Sequence, residues 1–134
     1  MFQLSMGCGM DMAFPDVCLT PTPAGPLPIP YPNMAYSVTS APAAYNILVE
    51  CMPALNQLSE GLVSIGDQPG VALGVVSHLE AGETAYLLGC FTIFVDGPPA
   101  QRLTSVTGQN AMGMLPNAPG MCSVPSQFTV LTLG

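Results

Sequence analysis

Ile47-Leu48-Val49-Glu50-Cys51-Met52-Pro53-Ala54 has an echo: 46 residues later the chain reads Ile93-Phe94-Val95-Asp96-Gly97-Pro98-Pro99-Ala100. Ile, Val, Pro and Ala recur in register, and Glu50 is matched by Asp96. Strand formers that run into a turn and a proline make one strand-turn unit. A fainter third copy, Phe128-Thr129-Val130, follows Phe91-Thr92-Ile93 at an offset of 37. Repeated units of this kind predict a pseudo-symmetric β-structure in which each unit covers its neighbour's apolar face. The fold class is therefore read as all-β, small, and built of short strands and hairpins, with echoed hairpins over 45–54 and 91–100.

The sequence around the echo agrees. Val71 to Leu79 and Ala85 to Val95 are apolar and partly β-branched, punctuated by Gly70, Gly74, Gly82, Gly89 and Gly97. Gln127 to Leu133 is expected to be a terminal strand, and Ala54 to Glu60 is compatible with one helical turn. Upstream, residues 20–33 hold six prolines, which forbid a helix or a central strand. The alternation Pro26-x-Pro28-x-Pro30-x-Pro32 fits an extended ribbon. Its spacers Leu27, Ile29 and Tyr31 are large and apolar, where a flexible linker uses Ser, Gly or charge. The ribbon is thus expected to be ordered and packed on a core, so that Asp at both Ile29 and Tyr31 would abolish folding or docking.

Length and composition narrow the function. The 134 residues are read as one domain, 1–134. They include 15 Pro and 14 Gly, are 49 % hydrophobic and only 7 % charged. This reverses the signature of disorder, and no three-residue glycine period supports collagen. Eight acids face a single base, Arg102, with no Lys, for a net charge of −7. Nothing neutralises phosphates, which excludes nucleic-acid binding. Surface so poor in charge is expected to be hidden in an assembly. No apolar run approaches the ~18 residues of a membrane helix. Met1 to Met12 lacks the basic start of a secretory signal. Met1, Met6, Met10 and Met12 supply either adaptable contact surface or core filler.

Signals for chemistry are sparse. The cysteines are Cys8, Cys18, Cys51, Cys90 and Cys122; the odd count and the lack of CxxC spacing favour reduced, buried thiols. The only histidine, His78, lies in the strand-like run Val75 to Leu79 with no nucleophile motif beside it, and reads as structural. No phosphate loop or nucleophile elbow is present. Most of the acids sit beside Gly or Pro and read as turn residues. One His and five Cys have no zinc-module spacing; Cys18, His78 and Cys90 are the candidate metal ligands. Arg102 is expected to clamp carbonyls or a carboxylate of Glu60, Asp67 or Asp96.

One series of blocks carries a family resemblance. Phe14-Pro15-Asp16-Val17-Cys18-Leu19-Thr20-Pro21 leads into Pro26-Leu27-Pro28-Ile29-Pro30-Tyr31-Pro32-Asn33. Ser64-Ile65-Gly66-Asp67-Gln68-Pro69-Gly70 and Phe94-Val95-Asp96-Gly97 follow, then Arg102 and Asn110. The series, from about 14 to 113, resembles the PAAR-like family of bacterial type VI secretion systems, in the subgroup known as DUF4150. The resemblance implies a cone-shaped, non-enzymatic β-protein that caps and sharpens a trimeric VgrG-type spike. It implies effector or toxin proteins as further partners and transient contact with a target membrane. It also implies residence in the bacterial cytoplasm before injection. It points to Pro28, Ile29, Pro30, Tyr31, Pro32, Asn33, Asp67, Gly70, Arg102 and Asn110 as motif or partner-binding positions. Several relatives bind zinc through three His and a Cys. Only His78 is available here, so no cofactor is expected. The competing readings are a small metal- or thiol-binding protein using Cys8, Cys18 or Cys90, and, more remotely, an acid-dependent hydrolase.

Overall fold

The computed structural model describes residues 1–133. Its strands are β1 (Met10–Thr22), β2 (Gly25–Tyr36), β3 (Ser40–Ala41), β4 (Ala44–Val49), β5 (Met52–Ala54) and β6 (Glu60–Gly61). They continue with β7 (Ser64–Ile65), β8 (Glu83–Leu88), β9 (Cys90–Phe94), β10 (Pro99–Ala100), β11 (Val106–Ala111) and β12 (Ala118–Val124). The fold is all-β: the one helical element among the described residues is a 3-10 turn at Ser37–Thr39. No helix among them is long and apolar enough to cross a membrane. Eight strands form one antiparallel sheet in the order β3-β6-β8-β11-β12-β1-β2-β7, curled like half a barrel.

The proline ribbon is strand β2, paired with β1 from Tyr36 to Gly25. Strand period two places the ring nitrogens of Pro26, Pro28, Pro30 and Pro32 on one edge, where no donor is required. The neighbour on that edge, β7, pairs with β2 at Met34 and Ala35, beyond the last proline. Most of the ribbon is therefore an edge strand, as its prolines demand. It does not pack on a core as expected: Leu27 is exposed and Ile29 and Tyr31 are half-buried. The far end of the β1–β2 hairpin, residues 21–28, is exposed or half-buried throughout, and the Thr20–Tyr31 hydroxyl pair at 2.7 Å ties the two strands beside it.

The echoed sequences are the two small sheets, β4–β5 and β9–β10. Their tips carry left-handed backbone at Glu50 and Cys51 (φ 51° and 65°) and at Asp96 and Gly97 (φ 57° and 104°). Positive φ at both central residues lets a two-residue turn follow the strand twist. The register repeats too, with Pro53 opposite Leu48 and Pro99 opposite Phe94. The third copy is completed by the beginning of the chain, since Phe2 is bridged to Leu131. Thr132 N–H bonds Met1 O at 2.7 Å just as Val95 N–H bonds Pro98 O at 2.8 Å. These pairings reproduce the sequence offsets of 46 and 37.

Three equivalent segments, residues 2–6, 53–57 and 99–103, then bond in a ring. Leu4 N–H donates to Gln101 O (2.9 Å), Gln101 N–H to Leu55 O (3.2 Å), and Leu55 N–H to Leu4 O (3.0 Å). A second layer repeats the cycle: Met6 N–H to Pro53 O, Gln57 N–H to Pro99 O, Leu103 N–H to Phe2 O, all at 2.8–2.9 Å. The chain thus has a pseudo-threefold axis with Leu4, Leu55 and Gln101 fully buried around it. Beside them packs a core of small residues in echoed pairs, Ala44 with Cys90, Val49 with Val95 and Ala54 with Ala100.

Three expected elements differ. Val71 to Leu79 is turns and loop, held along β1 by bonds such as Leu19 N–H to Leu73 O (2.8 Å). Left-handed residues at Leu73 and His78 break any strand period there. Gln127 to Leu133 is irregular, because the Gln127 side chain replaces ladder bonds. Its Oε1 accepts from Thr129 and Val130 N–H, and its Nε2 donates to Gln3 O. Ala54 to Glu60 contains a turn in which Ser59 Oγ accepts from Asn56 N–H, not a helical turn.

Candidate functional site

Two features stand out, one on the surface around the pseudo-threefold axis and one buried. The units of the threefold present matching apolar side chains outward. Tyr45, Phe91 and Phe128 occupy equivalent positions and are 59–70 % exposed. Leu48, Phe94 and Leu131 form a second exposed set, and Ile47, Ile93 and Val130 a third that is less open. Four of the five phenylalanines face solvent, while Gln3, Gln101, Gln109, Asn33 and Asn110 are interior. Burial normally runs the other way: here large apolar side chains are displayed while amide side chains fill part of the interior. The sequence signal was present: Tyr45 and Phe91 share the offset of 46, two residues upstream of the quoted echo.

The buried feature gathers the motif blocks. Asp16, Cys18, Asn33, Asp67, Gly70 and Asn110 come from four separate stretches of chain into one polar cluster. A register shift between Ala13 and Asp16 turns the Asp16 carboxylate inward. Its Oδ2 accepts from Asn33 Nδ2 (2.6 Å) and Asn110 Nδ2 (2.8 Å), and its Oδ1 from Asn117 Nδ2. Asp67 Oδ2 accepts from Asn110 Nδ2 and Ala81 N–H, and its Oδ1 also faces Ala81 N–H. The Cys18 thiol points at both carboxylates, 3.8 Å from Asp16 and 3.7 Å from Asp67. Burial and these two negative groups push it up to about 12, so it carries its proton. Burial likewise raises the Asp16 carboxyl, with the Asn33 and Asn117 donors pulling back. Gly70 is required by close approach: a Cβ there would lie 2.3 Å from Cys18 Cβ. Asn117 was not identified from sequence, because an isolated Asn near Pro looks like any turn residue.

The other expected site residues fall elsewhere. Pro28, Ile29, Pro30, Tyr31 and Pro32 lie along β2 beside β1, Pro28 to Tyr31 opposite Leu19 to Asp16, and run to buried Asn33. Arg102 lies in the threefold ring, bridged to Gln3, its backbone N–H bonded to Ser105 Oγ. His78 and Cys90 do not join Cys18, so the expected ligand trio is not assembled. His78 is exposed on a turn, and Cys90 is buried beside Thr92, whose hydroxyl holds its thiol below the usual range. Among the described residues, the group spaced for a cation is Asp16, Cys18 and Asp67, with ligand atoms within 4.8 Å of one another.

No curated protein and no solved structure matches this chain. A family model described as Toxin PAAR-like domain matches residues 9–128 of it, a span holding both echoed hairpins and every residue of the buried cluster. The chain therefore belongs to the Toxin PAAR-like domain family.

Proposed function

We propose that this protein is a non-enzymatic tip of the bacterial type VI secretion spike. It caps and sharpens a trimeric VgrG-type spike and helps load or deliver effector proteins through a target membrane. The observation that carries this reading is the pseudo-threefold ring and the three matched apolar sets around it. The end of a trimer offers three identical sites about one axis. A single chain can satisfy all three only if it repeats its own contacts three times about an axis. Tyr45, Phe91 and Phe128 do so with aromatic groups, the residue class that anchors protein interfaces. The buried acids support a non-catalytic role, since Asp16 and Asp67 spend their oxygens on amide and backbone donors. The family implies movement from the bacterial cytoplasm to a target cell by injection.

Mixing the full chain with its trimeric spike protein and measuring mass tests the reading. One chain per trimer is expected, whereas no complex at micromolar concentration would overturn it. The triple substitution Tyr45→Glu, Phe91→Glu, Phe128→Glu should leave the fold intact, because all three side chains are exposed. It should weaken docking by at least ~100-fold, given that interface aromatics each contribute about 2 kcal/mol or more.

A further inference from the structure

We infer that the Asp16–Cys18–Asp67 cluster is a metal-independent clasp in which the Asn110 amide takes the place of a bridging cation. The spacing of the three ligand atoms would suit a metal. The centre between the carboxylates, however, is taken. Asn110 Nδ2 donates to Asp16 Oδ2 and Asp67 Oδ2 at once. It stands where a bridging cation would have to stand, and an amide nitrogen has no lone pair to offer a metal.

The orientation of that amide follows from its other end. Asn110 Oδ1 accepts from Gly82 N–H at 2.7 Å and from Ser64 Oγ. A flipped amide would set its NH2 against the Gly82 N–H, so Nδ2 must face the carboxylates. Asn117 is fixed likewise: its Oδ1 accepts from Val76 N–H at 2.7 Å, leaving Nδ2 for Asp16. The backbone at Asn110 is left-handed, φ 50°, a conformation that Asn tolerates better than most residues. All four carboxylate oxygens of Asp16 and Asp67 thus receive at least one N–H. The Cys18 sulfur lies beside the same carboxylates, 3.8 Å from Asp16 and 3.7 Å from Asp67. Metal coordination needs those oxygens free.

The clasp ties β1, the end of β2, the 67–81 loop, β11 and the Asn117 turn into one unit. It therefore gives the fold the rigidity that a structural metal would otherwise supply.

Thermal unfolding of the full chain, purified after growth in zinc-supplemented medium, tests this together with metal analysis. The wild-type chain should hold less than about 0.1 zinc per molecule, and its Tm should move by less than ~1 °C with a strong chelator or with added zinc. About one tightly held metal per chain, or a Tm drop above ~5 °C on chelation, would overturn the inference. The substitution Asn110→Asp replaces the bridging donor with a third carboxylate. Its Tm should fall by more than ~5 °C without metal and recover on adding Zn2+ or Mn2+. Wild-type stability of Asn110→Asp without metal would show the amide bridge to be dispensable. Asn110→Ala should be destabilised and gain nothing from zinc; rescue by zinc would reveal a working cation site. None of these readouts involves the spike partner, so they stand apart from the docking test.

Discussion

At the scale of single residues, the threefold ring contains one misfit. Leu4 and Leu55 fill two of the three axial positions, and Gln101 fills the third, fully buried. Its Nε2 and Oε1 have no hydrogen-bond partner among the described residues. An unpaired buried amide costs about 1–3 kcal/mol, and replacing it with an apolar group of similar size removes that cost. Gln101→Leu should therefore raise the Tm by several degrees in thermal unfolding, by completing a leucine trio. A lower Tm would show that the amide is paired in solution. Gly70 is the opposite kind of residue, with no slack. Any side chain there meets Cys18, so the Gly of the Asp67-to-Gly70 block is dictated by contact that only the folded chain contains.

At the scale of elements, proline spacing and the echo were both legible. Every second residue from Pro26 to Pro32 lacks a donor, and a strand can hide that defect only on an open edge. Sequence could not reveal that the ribbon's apolar spacers would stay half in water. The alternation that buries one face needs a second layer to bury it against, and the hairpin end has none. The double substitution Ile29→Asp, Tyr31→Asp should accordingly leave the chain folded. It loses the Tyr31 hydroxyl contact with Thr20 and some cross-strand packing, about 1–2 kcal/mol in all. Circular dichroism melting should show a Tm only some degrees lower; an unfolded variant would mean the ribbon is packed after all. Val71 to Leu79 misled for a related reason. Its apolar run resembles a strand, but two left-handed residues within it, Leu73 and His78, and a third just beyond it, Ala81, bend the segment. Positive φ at non-glycine residues is imposed by the surroundings and has no local signature.

At the scale of the whole molecule, the third strand-turn unit is assembled from residues 128–132 and 1–3, with the Met1 amino group 3.3 Å from Thr132 O. The two covalent hairpins place two residues between the equivalent partners Val49 and Met52, and Val95 and Pro98. Joining residue 134 directly to Met1 places the two residues 133 and 134 between Thr132 and Met1. A chain joined in this way, carrying Leu133→Asn for the left-handed turn position and opened between Glu50 and Cys51, should fold to the same structure. Its melting temperature should stay within a few degrees of the parent, since only the location of the chain break has moved among equivalent units. Failure to fold would mean that the three units are equivalent in register but not in stability. Sequence by itself determined the all-β class, the repeat with offsets of 46 and 37, and an extended proline ribbon barred from a central strand. Each follows from local rules of donors, turns and strand period that a linear chain displays. Only the tertiary structure decided that the repeat closes into a hydrogen-bonded ring, that the aromatic side chains lie outside it, and that six motif residues meet in one clasp. Those outcomes depend on contacts between segments tens of residues apart, such as Asp16 with Asn110 and Leu4 with Gln101. Such contacts form when buried carboxylates and backbone groups, removed from water, must find donors wherever the fold brings them.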